Sequence, residues 1–443
     1  MTTPETTKPD GKALRTACPR SAHGEWTPKP DRDPVGMLRA LFATLIPDLV
    51  PLRIARMSAS PYAFYRGAAA VMASDLAGTP TTGVLAQLCG DAHLANFGGY
   101  ASPERRLVFD VNDFDETAQG PWEWDVKRLA ASILLCARGA GVTAAPAETA
   151  LRLALSTYRE RTREYAEMTP LDVWYATIDI AGVVRAALDP HAVRTWERAA
   201  RDAERNTALN LLPKITAVVD GRPRFVDDPP LLEHIPGVDD HSEYARRVLE
   251  QYRESLRFDA RMLLDRFTLV DVARKVVGVG SVGTWCALAL LADDRGAELL
   301  LQVKEARASA LEPYLGPQPF ASHGQRVVAG ERMVQAASDP LLGWADIDGR
   351  NLYVRQFRDM KARIDPTAFD ADALADYAAH CGWALARAHA RTGEPRLTGA
   401  YLGRGTAFDD ALVAFADAYA GQTEKDHAAF VAAFPSSGAE ARP

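Results

Sequence analysis

Cysteine is sparse and scattered. Cys18, Cys89, Cys136, Cys286 and Cys381 form no C-x-x-C pair, which argues against a zinc site and against a disulfide framework. They read instead as small buried hydrophobes. The nine histidines fall in no H-E-x-x-H or paired helical arrangement, so any metal is expected on oxygen ligands. No apolar run approaches the roughly 18 residues of a membrane span. The first thirty-odd residues, with Lys8, Pro9, Lys12, Arg15 and Pro19, lack the apolar stretch of a signal peptide. Basic charge is not in excess either. Against 51 Lys and Arg stand 58 Asp and Glu, a net −7 that speaks against nucleic acid and anionic membranes as partners. With 47% apolar and 25% charged residues over 443 positions, the composition supports a sizeable core shared among about three units. A soluble cytoplasmic protein is expected.

The hydrophobic pattern is mixed. Residues 1–34 read as a flexible N-terminal arm. Helical spacing runs from Met37 to Val50, where Pro51 is expected to close the helix, and again over Pro61–Leu76. Between Val84 and Asp125, short apolar runs (Val84–Leu88, Leu107–Val111) alternate with Gly, Asn and Asp clusters, as strands and loops do. Ala- and Leu-rich helix follows to Met168, and 169–265 reads as a charged helical insertion with a break at Pro223–Pro236. Strands are expected at Phe267–Val277, Leu299–Val303 and Asn351–Phe357. Helices are expected at Ala321–Ala337, Ala371–Ala390 and Asp409–Phe434. Such blocks predict α+β architecture rather than regular βαβ alternation.

The densest chemical signal is CGDAHLANFGGY, followed by a turn at Ser102–Arg106, the strand LVFDVN and the acidic tip DFDE. Asp91 and Asn96 are five positions apart, and a returning strand pair would bring Asp113 beside Asn96. Phosphoryl transfer uses this combination: one carboxylate orients the nucleophile and takes its proton, while an amide oxygen and a second carboxylate hold Mg²⁺. Mg²⁺ takes hard oxygen ligands and keeps several waters, so few side chains suffice. Asp91 is the candidate base, and Asn96 and Asp113 are candidate metal ligands. Asp115 and Asp110 are alternatives, because period-2 alternation leaves the inward carboxylate open. A single Asp or Asn in a Gly-rich loop is ordinarily a turn former; the set, not any member, carries the reading. His93 reads as a loop residue, Asp125 as an anchor for backbone N–H groups, and Trp122 and Trp124 as packing.

The second signal is VVGVGSVGTWCALALLADDRGAELLLQVKEA. Gly278, Gly280 and Gly283 make G-x-G-x-x-G, with Ser281 inside it. A dinucleotide fold needs these glycines to open a helix, with an acid such as Glu298 or Glu305 on the ribose. A kinase needs them to link two antiparallel strands over phosphates, with a Lys on the third strand. Strand, glycines, strand, the Asp293–Gly296 turn, strand and Lys304 fit the second pattern better. Glu331, in the following helix, is the candidate partner for Lys304; Glu305 and Glu312 are less well placed. YVRQFRDMK would supply a strand and hinge. Arg66, among aromatics in the YRG motif, either packs through its stem or reaches a phosphate or acidic substrate group.

The two signals run in the reverse of the usual kinase order. In small-molecule kinases, a helix like ALADYAAHCGWALARAHARTG (Ala373–Gly393) directly precedes the catalytic loop, whereas here it comes near the C-terminus. A circular permutation accounts for this, and chain ends at the surface make it physically tolerable. The blocks RMSASPYAFYRGAA, CGDAHLANFG, FDVNDFDETAQGPWEWDVKRLAAS, GVGSVGT, LQVKEA and YVRQFRDMK resemble the bacterial family called domain of unknown function 2252, over most of residues 35–395. That family is similar to protein-kinase-like and aminoglycoside-phosphotransferase-like folds, which implies ATP and Mg²⁺. The sequence departs at Cys89-Gly90-Asp91, where small-molecule kinases usually have H-G-D. The base remains while the usual supporting His does not. The expectation is a two-lobed, kinase-like, circularly permuted fold. Its parts are a metal-site segment at 35–168, the insertion at 169–265, a nucleotide-binding lobe at 266–362 and completing helices at 363–443. ATP would phosphorylate a hydroxyl of a small-molecule acceptor. An ATP-binding pseudokinase acting on a partner, a dinucleotide-dependent oxidoreductase and nucleotidyl transfer are the alternatives.

Overall fold

The computed structural model describes residues 10–186, 190–234, 243–276, 278, 282–357, 359–362 and 364–435. Mixed helix and strand is the architecture found, as the α+β expectation has it. Alanine-rich faces build the helical part. Along Ala371–Thr392 the buried positions Leu374, Ala378, Cys381, Leu385 and Ala388 recur at three- and four-residue steps. This face packs against Trp122–Gly139 and Ala144–Glu167, and Ala407–Ala433 packs on the same two helices. Gly382 permits the closest approach, since a Cβ there would stand 2.3 Å from the Ala154 carbonyl oxygen.

Two antiparallel ribbons lie against these helices. Strand β1 (Leu85–Leu88) will pair with β4 (Ala118–Pro121), and between them in sequence β2 (Phe97–Ala101) pairs with β3 (Leu107–Val111). A hairpin of β5 (Thr216–Val219) and β6 (Arg222–Phe225) follows. The remaining strands are β7 (Leu232–His234), β8 (Thr268–Lys275), β9 (Cys286–Ala292), β10 (Glu298–Glu305), β11 (Gly343–Ile347) and β12 (Arg350–Gln356). They form one antiparallel sheet in the order β11-β12-β10-β9-β8-β7.

Alternation sorts the side chains of this sheet. Leu301, Val303, Leu352 and Val354 share a core with Tyr252, Leu256 and Leu264 of the preceding helices. The intervening Gln302, Lys304, Tyr353 and Arg355 therefore face the opposite way. In β10 and β12, Lys304 stands opposite Tyr353 and Gln302 opposite Arg355. Helix His323–Val334 packs on β11 and β12 and also on Ala371–Thr392, so it spans from sheet to helices. Among the described residues, no helix is long and apolar enough to cross a membrane.

Four expectations need correction. From residue 10 onward the N-terminal segment is not a flexible arm. Gly11–Ala17 packs on Pro395–Leu402, and His23 is buried with Nε2 2.8 Å from the Tyr401 hydroxyl. Arg32 bridges Asp75 and Asp426 at 2.8 and 2.6 Å. His23 and Arg32 are thus satisfied within the protein rather than by solvent. Pro51 does not close a helix. Pro34–Phe42 ends earlier, and Pro51 lies in the first turn of Val50–Ser58, where a missing N–H costs nothing. Pro61–Leu76 is two helices, Pro61–Gly67 and Ala69–Leu76, broken at Ala68. The 169–265 stretch is not purely helical, since it contributes the β5–β6 hairpin and the edge strand β7.

Helix Trp122–Gly139 carries an unusual load. Lys127 is fully buried, its Nζ without a hydrogen-bond partner among the described residues and 5.1 Å from the Phe415 ring centre. Burial pushes its pKa down to about 8, while Glu123 opposes the shift. A depressed folded-state value means that the unfolded chain binds more protons between about pH 8 and 10.5. Relative to a Lys127→Met variant, the wild-type protein should gain stability as pH rises through that window, as read by urea denaturation at successive pH values. Parallel curves for the two proteins would contradict the burial.

Candidate functional site

The Asp91–Asn96 loop is held from below by one helix. Asp125, in the first turn of Trp122–Gly139, accepts the Cys89 and Gly90 amides at 2.8 and 3.0 Å. This is the anchoring role expected of it. His389 Nε2 lies 3.3 Å from Asp125, and its Nδ1 is 2.9 Å from the Tyr158 hydroxyl. Gly90 adopts φ +83°, and a Cβ there would collide with the Glu116 carbonyl, so glycine is required. One turn on, Arg128 donates through Nε to Asp91 Oδ1 at 2.5 Å and stacks 4.2 Å from the Tyr65 ring centre. Burial raises the Asp91 pKa, and Arg128 opposes that shift. Asp91 therefore keeps one oxygen on a fixed cation, with Oδ2 3.6 Å from His93 Nε2. Burial pushes the His93 pKa well down, so it is a neutral imidazole of the loop wall.

Asn96 donates from Nδ2 to the Asp91 carbonyl at 2.8 Å, and its own carbonyl accepts the Asn112 amide at 2.8 Å. The second bond places Asp113 beside the loop. Asp91, Asn96, Asp113 and Asp115 line one cavity with Arg53, Arg66 and Thr284. Asp113 and Arg66 also line an adjoining cavity with Gly278, Lys304, Arg355 and Lys361. The early acidic stretch and the late lysine thus meet across one cleft.

The acidic residues have separate duties. Asp110 is fully buried, bonded to Arg387 Nη2 at 2.7 and 2.6 Å and to the Ala336 amide at 2.9 Å. It is a core ion pair and not a metal ligand. Asp115 accepts from Lys304 Nζ at 2.7 Å and from the Tyr353 hydroxyl at 2.6 Å. Burial alone would raise the Asp115 pKa, but Lys304 and Tyr353 outweigh it and hold it below the usual range. Asp113 accepts only the Asp115 amide, at 3.3 Å, among the described residues. Burial and the charge of Asp115 raise its pKa. An under-coordinated carboxylate held against a like charge suits a cation. The Asn96 Nδ2 donation leaves Oδ1 as its companion. No group of three His, Cys, Asp or Glu side chains able to hold a metal occurs among the described residues. Mg²⁺ does not require one, because one or two carboxylates plus phosphate and water oxygens complete its octahedron.

Glu331 is not the partner of Lys304. It lies on His323–Val334 with Oε2 3.9 Å from Arg355 Nη1, and that oxygen has no hydrogen bond among the described residues. Burial raises its pKa against the pull of Arg355 and Lys361. The register explains the change: Arg355 on β12 stands between Glu331 and β10, while Lys304 reaches the Asp113–Asp115 turn directly. Lys361 joins this corner, and burial together with Arg355 pushes its pKa down to about 7.

The glycine segment is partly described; Gly280 and Ser281 lie outside the described residues. Gly278 (φ +64°) and Gly283 (φ +95°) adopt backbone conformations that favour glycine. Their carbonyls accept from Arg56 and from the Ile46 amide, and Arg53 donates to the Val282 carbonyl at 2.9 Å. The chain after the glycines is strand β9 and not helix. The glycines therefore do not open the helix that a dinucleotide site requires.

A model of the family described as an uncharacterized protein conserved in bacteria, domain of unknown function 2252, matches residues 45–433. The chain belongs to this family. No curated protein and no solved structure matches it. The blocks that carry the family resemblance are those that meet in this cleft. Sequence reasoning missed four contributors: Arg128, Tyr353, Arg355 and Lys361. Arg128 was accessible in principle, since it lies three residues beyond Asp125 on one helix face. The other three depend on strand register and on the path after β12.

The Lys304–Asp115 pair allows a direct energetic test. Lys304 is 3% and Asp115 31% exposed at the side chain. Asp115→Asn should destabilise the protein by about 3 kcal/mol, the lower end for a broken buried pair. Adding Lys304→Met should restore most of that loss in a denaturation double-mutant cycle. Additive losses would show that the ammonium does not depend on Asp115.

Proposed function

We propose that the cleft transfers the γ-phosphoryl group of ATP, with Mg²⁺, to a hydroxyl of a small-molecule acceptor. The observation that carries this reading is the convergence on one cleft of Asp91, Asn96 and Asp113 from one part of the chain and Lys304 from another, clamped by the 2.7 Å contact of Lys304 with Asp115. The cavity containing Lys304 is lined both by apolar side chains, Phe97, Leu231, Val276, Phe357 and Ile364, and by cationic ones, among them Arg56, Lys304, Arg355 and Lys361. That mixture suits a base joined to phosphates. The antiparallel order β11-β12-β10-β9-β8, with a helix between β10 and β11 in sequence, supports a kinase-like nucleotide lobe. Helix Ala371–Thr392 packs on β1, just before the Asp91 loop, as a circularly permuted helical lobe would have it.

In this reading each residue has one task. Asp91 takes the proton from the acceptor hydroxyl, at an oxygen whose neighbour is fixed by Arg128. Lys304 holds phosphate oxygens without moving, because Asp115 and Tyr353 fix its ammonium. Asn96 Oδ1 and the Asp113 carboxylate would hold Mg²⁺, which neutralises charge on the phosphates when bound. Gly278 lines the Lys304 cavity, where the absence of a side chain would let phosphates come close to the backbone.

Asp91→Asn should lower turnover by about 10²–10⁴ while Mg-ATP affinity, read by isothermal titration, stays near wild type. Asp113→Ala should instead weaken ATP binding only when Mg²⁺ is present. Equal Mg-ATP affinity of wild type and Asp113→Ala would remove Asp113 as a ligand. ATP binding without turnover on any hydroxyl acceptor would favour a regulatory binding protein.

A further inference from the structure

We propose that Arg66 is a catalytic residue of this cleft, its guanidinium contacting the phosphoryl group as it passes from nucleotide to acceptor. The proposal rests on the phosphotransferase reading above. Four observations carry it.

Arg66 lies where the two cavities adjoin. Among the described residues, only it and Asp113 line both, so it borders the side holding Asp91 and the side holding Lys304. A group moving from donor to acceptor must cross that boundary. An arginine that merely held a distant acidic group of the acceptor would line the Asp91 side alone.

The guanidinium is also uncommitted. Arg32, Arg53, Arg128 and Arg387 all spend theirs on carboxylates or carbonyls. Arg66 makes no hydrogen bond or ion pair among the described residues, and its Nε is buried without a partner. It lies over the Tyr62 ring, 5.9 Å from Cζ to the ring centre.

The base beneath it is rigid. Ser60 caps helix Pro61–Gly67 by accepting the Ala63 amide at 3.0 Å. The Tyr62 hydroxyl accepts the Ala95 amide of the Asp91–Asn96 loop at 3.2 Å, so the ring beneath Arg66 is tied to the loop it serves. Arg53, buried below it, donates to the Gly67 carbonyl at 3.1 Å and to the Val282 carbonyl of the glycine turn at 2.9 Å. Arg66 is thereby fixed relative to both the base and the phosphate turn.

The remaining observation is chemical. In the transfer, the bond from the γ-phosphorus to the β,γ-bridging oxygen breaks and its electron pair stays on ADP. The acceptor oxygen bonds to phosphorus, and its proton passes to Asp91. Negative charge spreads over the three equatorial oxygens at the midpoint, and a planar fork of N–H donors matches them. Lys304 is already bonded to Asp115, leaving Arg66 as the uncommitted cation at the crossing point.

The test uses the full chain and the probe Mg-ADP with aluminium fluoride, which imitates the phosphoryl group in flight. Titration calorimetry would compare it with Mg-ADP alone for wild type, Arg66→Ala and Arg66→Lys. Wild type should bind the fluoride complex more tightly than Mg-ADP. Arg66→Ala should keep its Mg-ADP affinity and lose at least about tenfold in affinity for the fluoride complex, a modest share of what such arginines supply to rate. Arg66→Lys, which preserves charge and stem, should fold as wild type does and recover only part of that affinity, because it lacks the fork. Variants that retain the full wild-type preference would overturn the proposal while leaving the phosphotransferase reading intact. A wild-type chain that binds neither Mg-ADP nor Mg-ATP would overturn that reading itself, and the role of Arg66 with it.

Discussion

A buried ammonium cannot be left alone, and Lys304 meets that constraint by reaching 189 positions back in sequence to Asp115. The contact fixes more than a charge. Tyr353, the cross-strand neighbour of Lys304, bonds the second oxygen of the same carboxylate, so two adjacent strands grip one residue. Arg326 reinforces the grip, donating to the backbone carbonyls of Asp115 and Thr117 from helix His323–Val334. Glu116 accepts the Ala310 amide at 2.6 Å. Each residue from Asp115 to Thr117 is consequently bonded, to the sheet, to helix His323–Val334 or to the chain after β10. Asp113, just before them, faces the cleft with capacity to spare.

The acidic residues between positions 91 and 125 illustrate how environment, not residue type, assigns chemistry. Asp125 is occupied by two backbone N–H groups, Asp110 by a guanidinium in the core, and Asp115 by an ammonium and a phenol. Asp91 shares one oxygen with Arg128 and retains the other. The carboxylates that could do work on a substrate are those whose bonds are incomplete. This sorting needs the partners Arg128, Arg387 and Tyr353, which come from three different elements.

That dependence explains what could and could not be read from the sequence. The Asp91–Asn96 spacing and the β3 strand are local features, and local hydrogen bonds or period-2 patterning reveal them. The choice among Asp110, Asp113 and Asp115 is not local, because it rests on which one a distant lysine or arginine reaches. Glu331 was the natural partner for Lys304 by helix position, but Arg355 intervenes through a register that no spacing encodes. At the N-terminus, polar composition suggested solvent exposure, whereas Arg32 and His23 are buried by partners near the other end of the chain. At Pro51 a helix start and a helix stop look alike until the preceding residues are placed.

The glycine turn completes the argument about rigidity. In the described residues it is not a free flap, since Ile46, Arg53 and Arg56 hold three of its carbonyls. Those three residues precede or belong to Val50–Ser58, the helix that packs against Pro61–Gly67 with Arg66 on it. Arg53 makes the link explicit by bonding the turn with one nitrogen and the end of the Arg66 helix with another. Turn and arginine are therefore two ends of one braced piece, and the turn lies between β8 and β9, which pairs with β10 at Cys286 opposite Lys304. The loop bearing Asp91 is bonded to the same piece through Tyr62, and through Asn112 to the segment that leads to Asp113. Arg66, Lys304 and Asp91 are thus held by one continuous set of bonds, so the cleft they border is shaped before any ligand enters it.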